Sequence, residues 1–389
     1  METKVFERRQ KEDRPVLAIC YDFDKTLSPD DMQAQGYIQS VGFDVEDFWK
    51  ESNALAETND MDQNLAYMFK MKEEAEGKVL FTKEKLAEYG AKVKLFPGVS
   101  GWFERIRQYG KAQGVTVEHY IISSGLKEMI EGTEVAKAGA FEKIYASSFY
   151  FNDKGVAAWP AQVVNYTNKT QFLFRIEKGV LDVNDPGVND YFAPEEIRVP
   201  FRNMVYIGDS DTDVPCMKLV NAYGGHSIGV YNAETMDKSK VYRMIRDARI
   251  RYYAPSDYSE GTELDRLVKA IIDRTAANEI LESEFCQRKK EQEDADRCSS
   301  EPEKEKTDLL IALENSGSFA RTHEVIKKLS AYPAWSDEER ARLCEIAVRN
   351  SQVFCILGDP DVKRFFQKIT DGMSAKSEDA EKLMEKLME

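Results

Sequence analysis

The chain has 389 residues, of which 42% are hydrophobic and 32% charged, and its formal net charge is −15 at pH 7. This length allows two domains with a full apolar core. The acidic balance argues against nucleic acid or an anionic membrane as a partner, because a phosphate backbone requires a basic surface. No segment approaches the roughly 20 apolar residues that span a bilayer. The charged N-terminus lacks the apolar core of a signal peptide, so we expect a cytoplasmic protein.

The first predicted strand is the apolar run Val16–Tyr21. A short, fully apolar run of this kind is typical of a strand in a parallel sheet. Between residues 30 and about 94, apolar residues recur at three- and four-residue spacing, which predicts helices. A further helix is predicted at 101–111 and a strand at 119–125. An all-helical insert therefore interrupts an α/β pattern directly after the first strand.

The next part of the chain continues the α/β pattern. Residues 141–167 mix aromatic, small and turn residues, which predicts a strand followed by a hairpin or meander. Residues 170–178 read as a helix, and residues 203–208 and 227–231 as buried strands, the latter being the last strand of the sheet. This alternation predicts a mostly parallel sheet with helices on both faces.

The composition changes after about residue 276. Residues 288–306 carry charges of both signs, which is typical of an exposed helix running into a linker. A second helical region follows, and its last residues, 374–389, form a charged helix or tail. We therefore predict four parts: an α/β core of residues 1–28 and 97–275, a helical insert of 29–96, a charged helix or linker of 276–306, and a C-terminal helical region of 307–389.

Predicted strands of this core end in polar residues. Asp22 and Asp24 follow the first strand, Ser123 ends the second, and Asp209 follows the strand 203–208. Open α/β sheets bind ligands at the carboxyl ends of their strands. Two adjacent acids repel each other, and a hard divalent cation with oxygen ligands is the natural counter-charge. The alternative for the first pair is a turn that is merely rich in aspartate.

Two further residues each have two interpretations. Asp213 begins a helix, where capping and compensation of the macrodipole also explain an acid. Lys169 opens the helix 170–178, where the macrodipole mildly disfavours a cation. The Lys169 side chain therefore either points into solvent or neutralises an anionic group nearby.

In this order, the residues resemble the haloacid dehalogenase (HAD) superfamily of aspartate-nucleophile phosphohydrolases. The resemblance covers about residues 16–231, and the insert occupies the place of the type-one helical cap. The turn at 123–125 and the cap spacing are most similar to the phosphoserine-phosphatase-like branch. The resemblance implies a Rossmann-like α/β core, an inserted all-helical cap and, outside the family region, a C-terminal helical extension. The matching segments are Asp22-Phe23-Asp24-Lys25-Thr26, Ile121-Ile122-Ser123, Lys169 and Gly208-Asp209-Ser210-Asp211-Thr212-Asp213.

The resemblance also implies a reaction, the Mg²⁺-dependent hydrolysis of a small phosphomonoester. Asp22 would attack phosphorus and form an aspartyl-phosphate. Asp24 would protonate the leaving alkoxide and later deprotonate the hydrolytic water. Mg²⁺ would be held by Asp22, the Asp24 main-chain carbonyl and Asp209.

The remaining motif residues receive supporting roles from the same resemblance. Ser123, Ser124, neighbouring backbone N–H groups and Lys169 would neutralise the phosphoryl oxygens in the transition state. Asp213 and Thr26 would not contact the substrate but would position the groups that do. Asp213 would orient Lys169 or a metal-bound water.

Alternatives remain at several points of the chain. Residues 24–26 also resemble the phosphorylated motif of P-type ATPases, but Leu27 stands where those pumps carry glycine, and the chain has no membrane span. A dehalogenase would not need the acid at Asp24. The alternative function is a HAD-fold scaffold or regulatory protein, with the C-terminal helices serving as a protein- or self-association module rather than as an accessory domain.

Some aromatic and polar residues have either a structural or a functional interpretation. Phe48, Trp49, Tyr67 and Met71 in the insert are core residues or line a substrate pocket. His226 is an ordinary strand residue or approaches the substrate. The substrate itself is not specified by any residue set in the sequence.

Overall fold

The computed structural model divides the chain into two compact units, Met1–Ser283 and Glu284–Glu389. The helix Glu263–Cys298 begins in the first unit and ends in the second, so the predicted boundary near residue 276 falls inside a helix. The structure describes residues 5–298, 301–371, 373 and 377–388. Residues 299–300, in the predicted linker, and 374–376 and 389, in the predicted C-terminal helix or tail, lie outside the described residues.

A seven-stranded sheet forms the centre of the first unit, with strand order β4-β3-β2-β1-β5-β6-β7. Strand β4 pairs antiparallel with β3, and every other pairing is parallel. This arrangement confirms the predicted α/β fold class with a mostly parallel sheet. The strands are β1 Val16–Tyr21, β2 Thr116–Leu126, β3 Lys143–Phe151, β4 Ala157–Gln162, β5 Met204–Gly208, β6 His226–Tyr231 and β7 Tyr252–Pro255.

The prediction that residues 227–231 form the last strand is wrong. Strand β7 pairs with β6 in parallel register, from Ile228 opposite Tyr252 to Tyr231 opposite Pro255. It is only four residues long and ends in proline. Because β7 lies at the sheet edge, it needs no long apolar run, and its sequence therefore lacks the usual strand pattern.

Both faces of the sheet are covered, as β1 shows. Successive side chains of a strand point to opposite faces, and all six residues of β1 are buried. Leu17, Ile19 and Tyr21 belong to one apolar core, which includes the insert and the helix Val99–Ala112. The other core contains Val16, Ala18, Cys20 and residues of the helices Thr170–Lys178 and Val214–Ala222.

The segment between β1 and the helix Val99–Ala112 is helical, as its apolar spacing predicts. Aspartates cap two of its helices: the Asp44 side chain accepts from the N–H groups of Glu46 and Asp47, and Asp62 does the same for Asn64 and Leu65. Such caps satisfy N–H groups that have no partner inside the helix. The insert helices are Tyr37–Ser40, Val45–Thr58, Gln63–Ala75 and Lys83–Gly90.

The other helices of the first unit connect and cover the strands. They are Val99–Ala112, Lys127–Gly132, Glu134–Lys137, Thr170–Lys178, Val214–Ala222, Ser239–Arg246 and the beginning of Glu263–Cys298. A 3-10 turn, Tyr166–Lys169, leads directly into Thr170–Lys178, and another, Asp211–Asp213, leads into Val214–Ala222.

The second unit is helical and has an apolar core of its own, built from residues between Leu310 and Leu387. None of the helices in the described part of the chain combines the length and apolarity that crossing a membrane requires. The helices of this unit are the end of Glu263–Cys298, then Glu301–Glu314, Phe319–Leu329, Asp337–Arg349, Ser351–Cys355, Pro360–Asp371 and Glu378–Met388.

Candidate active site

The predicted site residues meet where the strand order of the sheet reverses. Strands β2 and β3 lie on one side of β1, and β5 and β6 on the other. In open α/β sheets, the crevice at the carboxyl ends of such strands binds ligands. Asp22 directly follows β1, and its N–H donates to the Ile207 carbonyl of β5 at 3.0 Å. Ser123 in β2 and Asp209 after β5 lie at the same edge.

The side chain of Lys169 lies in the interior, between two of the predicted acids. Its Nζ donates to Asp213 Oδ1 at 2.7 Å and lies 3.5 Å from Asp22 Oδ1. Lys169 and Asp213 are fully buried, and Asp22 nearly so. Burial lowers the pKa of Lys169, but the attraction of Asp213 and Asp22 outweighs it and leaves the pKa raised. Lys169 therefore neutralises buried anions instead of pointing into solvent.

Asp213 is held rigidly by its neighbours. Oδ1 accepts a hydrogen bond from the Tyr206 hydroxyl at 2.9 Å, in addition to the one from Lys169. Oδ2 accepts from the backbone N–H of Ser210 at 3.0 Å and from its hydroxyl at 2.9 Å. Because both oxygens are fully engaged, Asp213 can fix the position of the Lys169 ammonium.

Asp22, Asp209 and Asp213 form a cluster in which one carboxylate oxygen from each lies within 4.8 Å of the others. Burial, followed by the nearby Asp213, raises the pKa of Asp22 to about 7 despite Lys169. Burial likewise raises the pKa of Asp209 to about 6, although Lys240 lowers it. Asp22 Oδ1 is buried and has no hydrogen-bond partner in the described part of the chain, and its 3.5 Å contact with Lys169 is an ion pair only. An orphaned buried oxygen beside two further carboxylates fits a hard divalent cation.

Asp24 lies beside this cluster and is partly exposed. Its Oδ1 accepts a hydrogen bond from the Met32 N–H at 2.8 Å, which fixes the carboxyl. Burial, and then the charges of Asp31 and Asp22, raise the pKa of Asp24. The backbone of Gly125 lies close to the Asp24 carboxyl, because a Cβ at position 125 would be only 2.8 Å from Asp24 Oδ2. A side chain at position 125 would therefore require the Asp24 carboxyl or the end of the Met32 side chain, 2.6 Å from the same Cβ, to move.

Residues 123–125, predicted as a turn, instead lie inside β2, where its pairing with β3 shifts register between Ser123 and Leu126. The hydroxyl groups of this segment lie beside the acids. The Ser123 hydroxyl accepts a hydrogen bond from the Gly125 N–H at 3.1 Å, and the Ser124 hydroxyl is buried with no partner among the described residues. The Thr26 hydroxyl is also buried without such a partner. These groups have free hydrogen-bonding capacity within a polar, buried site.

The predicted site residues therefore occupy one locality, at the carboxyl edge of β1, β2 and β5. A family model for haloacid dehalogenase-like hydrolases matches residues 19–218, which include every one of these residues. The chain belongs to the haloacid dehalogenase-like hydrolase family.

One further protein and two solved structures are similar to this HAD chain. An uncharacterized protein of Borreliella burgdorferi is 27% identical over 281 residues, covering 64% of this chain and 94% of that protein. A HAD family hydrolase of Salmonella enterica serovar Typhi covers 67% of this chain and 73% of its own, with 17% identity and a TM-score of 0.43. A substrate-bound phosphoserine phosphatase covers 67% of this chain and 99% of its own, with 14% identity and a TM-score of 0.39.

Sequence reasoning missed polar residues that support the HAD site. Tyr206 lies within the predicted strand 203–208, where an aromatic residue looks like core, and its hydroxyl nevertheless binds Asp213. Lys240, on the helix Ser239–Arg246, places Nζ 3.3 Å from Asp209 Oδ2. No sequence pattern connects Lys240 to the motif of Asp209, because the two residues are 31 positions apart, with the helix Val214–Ala222 and strand β6 between them.

For some residues of the insert, the structure decides between a core role and a pocket role. Phe48 and Met71 are fully buried in the apolar core, so they are core residues. Tyr67 belongs to the same core, but its hydroxyl donates to the Ser124 carbonyl at 2.7 Å. Trp49 packs its ring edge-on against Tyr67, and its indole N–H is buried with no partner among the described residues. His226 begins β6, at the edge of the sheet opposite the site.

Proposed function

We propose that this HAD chain is a Mg²⁺-dependent phosphomonoester hydrolase that works through an aspartyl-phosphate on Asp22. The observation that carries the proposal is the buried Lys169 between Asp213 at 2.7 Å and Asp22 at 3.5 Å. A buried ammonium is costly unless it is paired, and this one faces the Asp22 oxygen that accepts no hydrogen bond from any described residue. A phosphoryl group attacked by Asp22 would bring further negative charge to the same ammonium.

Asp22 and Asp24 divide the chemistry. The Asp22 carboxylate attacks phosphorus, and the bond from phosphorus to the substrate's ester oxygen breaks. Asp24 gives its proton to that oxygen, and its raised pKa suits this role as a general acid. Asp24 then takes a proton from water, which attacks phosphorus, breaks the acyl phosphate bond and frees Asp22 with inorganic phosphate.

The other residues stabilise the transferring phosphoryl group. Lys169 supplies a fixed positive charge, and Asp213, itself held by Tyr206, keeps that charge in place. The hydroxyls of Ser123 and Ser124 can donate to phosphoryl oxygens, and the Ser124 hydroxyl has no competing partner among the described residues. Preorganised donors of this kind stabilise the transition state without any reorganisation during the reaction.

Asp22, Asp209 and the main-chain carbonyl of Asp24 would hold Mg²⁺, with Asp213 close behind. The grouping of carboxylate oxygens within 4.8 Å and the orphaned Asp22 oxygen support this ligand set. When bound, Mg²⁺ would neutralise charge on the phosphate and keep Asp22 ionised.

We further propose that the substrate is a small phosphorylated metabolite of the kind used by the phosphoserine-phosphatase-like branch. Residues 29–96 would then act as the cap over a catalytic core of residues 1–28 and 97–275. The hydrogen bond from Tyr67 to the Ser124 carbonyl supports this, since it joins the insert to the proposed phosphate-binding segment at the end of β2.

The test is a phosphate-release assay of the full chain against a panel of small phosphomonoesters, with Mg²⁺ or with EDTA. We expect release with Mg²⁺, its loss with EDTA, and no turnover by Asp22→Asn. Asp153→Asn is the matched control, because Asp153 lies in an exposed turn and should leave activity unchanged. Equal activity of Asp22→Asn and the wild type would refute the mechanism. A correctly folded protein that binds Mg²⁺ and hydrolyses nothing would favour the scaffold alternative.

A further inference from the structure

A second concave site lies at the amino-terminal edge of the sheet. Strand β6 has six residues, so its first residue, His226, lies about 17 Å from its carboxyl end near the candidate active site. A pocket of about 150 Å³ opens beside His226. It is lined by Arg202, Asn203, Gly224, His226, Arg274, Thr275 and Asn278, none of which is acidic.

His226 is a buried wall of this pocket with an unused polar atom. The side chain is 3% exposed, and its ring stacks on Tyr252 with centroids 5.9 Å apart. The buried Nδ1 has no hydrogen-bond partner among the described residues. Leaving such a nitrogen without a partner costs free energy that a bound ligand would recover.

Two of the residues that line the pocket, Arg202 and Arg274, carry positive charge. Arg202 is anchored by Glu279 at 3.1 Å and Glu282 at 3.6 Å, so its charge is partly offset. Arg274 forms no ion pair with any described residue, and a further arginine, Arg251, lies close by. Burial, then Arg274 and Arg251, lower the pKa of His226 to about 4. An anion bound in the pocket would oppose the charge of these arginines and raise the pKa of His226.

We propose that this pocket binds a small inorganic oxyanion, phosphate or sulfate, separately from the catalytic site. Arginine and a histidine N–H donate strong, charge-assisted hydrogen bonds to such oxygens. The Asn278 amide, which makes no hydrogen bond with a described residue, adds neutral donors. The pocket of about 150 Å³ suits a ligand of this size, because it is smaller than the roughly 300–1,000 Å³ of pockets that hold drug-sized molecules.

The histidine side chains provide a direct test, because the chain has only three of them. The full-length protein is labelled with ¹⁵N at histidine, and its ring signals are followed by NMR during titration with potassium phosphate, potassium sulfate, or chloride at matched ionic strength. His226→Gln identifies the His226 signal. We expect phosphate or sulfate, and not chloride, to shift this signal and raise its pKa, while the His119 and His323 signals stay in place.

A pair of arginine variants makes the test specific. Arg274→Gln removes a pocket charge from an exposed helix position and should weaken oxyanion binding about tenfold. Arg246→Gln is the matched control, because the Arg246 side chain is 76% exposed and lines none of this pocket. No oxyanion-dependent shift of the His226 signal would overturn the proposal. An equal response to chloride, or an undiminished response in Arg274→Gln, would do the same. None of these results depends on whether the chain has phosphatase activity.

Discussion

The hydroxyl of Tyr67 donates a 2.7 Å hydrogen bond to the backbone carbonyl of Ser124. This bond joins the helix Gln63–Ala75 of the insert to the end of β2, which carries the proposed phosphate-binding hydroxyls. The same helix makes a second such contact, since Asn64 Nδ2 donates to the Val164 carbonyl at 2.7 Å, shortly before Lys169 in the chain. One helix of the insert therefore contacts both the end of β2 and the segment that precedes Lys169.

We expect Tyr67→Phe to loosen this connection. The variant loses one hydrogen bond, which corresponds to about 1 kcal/mol of unfolding free energy. It should also raise KM more than it lowers kcat, and amide hydrogen exchange at residues 124–126 should become faster. Tyr37→Phe is the matched control, because Tyr37 donates to the Met71 carbonyl entirely within the insert. Indistinguishable effects of the two variants on KM and on exchange would contradict the role of Tyr67.

Lys169 is expected to matter for both turnover and stability. Lys169→Gln removes the charge that faces the phosphoryl group, so turnover should fall by about 10²–10³-fold. It also leaves Asp213 and Asp22 without their buried counter-charge, which should lower the unfolding free energy by about 3–5 kcal/mol at neutral pH. Phosphate-release kinetics and urea denaturation measure the two effects.

A double variant separates these two effects of Lys169. Lys169→Gln with Asp213→Asn removes both partners of the 2.7 Å pair and should recover part of the stability, but none of the turnover. Lys154→Gln, in an exposed turn, is the control for loss of a lysine charge. Near-normal turnover of Lys169→Gln would contradict the proposed role.

The residues that could be predicted from the sequence are those whose position is fixed by a buried strand. Asp22, Ser123 and Asp209 each lie at or just beyond an apolar run, and parallel strands bring their carboxyl ends to one edge of the sheet. The local sequence therefore determined their place. The same logic failed for β7, whose four residues at the sheet edge carry too weak a pattern to be recognised.

The environment of Lys169 could not be predicted in this way. Its burial depends on Asp213, 44 residues away, and on Asp22 in a third segment, so helix position alone left two interpretations open. The contributions of Tyr67 and Tyr206 were hidden for a related reason. In a sequence, a tyrosine with a buried ring looks like core, and only coordinates show the partner of its hydroxyl.

Mg²⁺ binding should be measurable apart from catalysis. A ligand that binds only the folded chain stabilises it, by about 2.7 kcal/mol at a concentration of 100 times Kd. We expect Mg²⁺ to raise the melting temperature of the wild type but not that of Asp209→Asn. Asp211→Asn is the matched control two residues away, because Asp211 is exposed and pairs with Arg243 and Arg249. An equal Mg²⁺ response in Asp209→Asn would remove Asp209 from the ligand set.

Deletion of residues 307–389 tests the helical region beyond the family match. The proposed site residues lie between Asp22 and Asp213, and the two cores around the sheet end before residue 284. We therefore expect the shortened chain to keep its Mg²⁺-dependent phosphate release. Lost activity in a shortened chain with intact secondary structure would show that the C-terminal helices contribute to catalysis. A changed oligomeric state, measured by light scattering, would support an association role for them.

Glu118 is expected to make stability depend on pH in the acid range. This nearly buried carboxylate accepts hydrogen bonds from Arg198 at 2.7 and 2.8 Å and from the Tyr120 hydroxyl at 2.6 Å. Burial raises the pKa of Glu118, but the hydrogen bonds and charge of Arg198 outweigh it and leave the pKa lowered. The ionised group therefore stabilises the fold above its unfolded pKa of about 4.3, and this contribution is lost as pH falls through the lower, folded value.

Glu118→Gln should accordingly be less stable than the wild type at pH 7, by about 1.5–3 kcal/mol, since it loses charged hydrogen bonds. The difference should shrink as pH falls below about 4. Urea denaturation of both proteins between pH 3 and pH 7 measures it. Glu142→Gln is the control, because Glu142 pairs with Arg9 at 3.1 Å but is far more exposed than Glu118, so its effect should be small at every pH. A constant difference between the wild type and Glu118→Gln across this range would mean that the charge of Glu118 contributes nothing to stability.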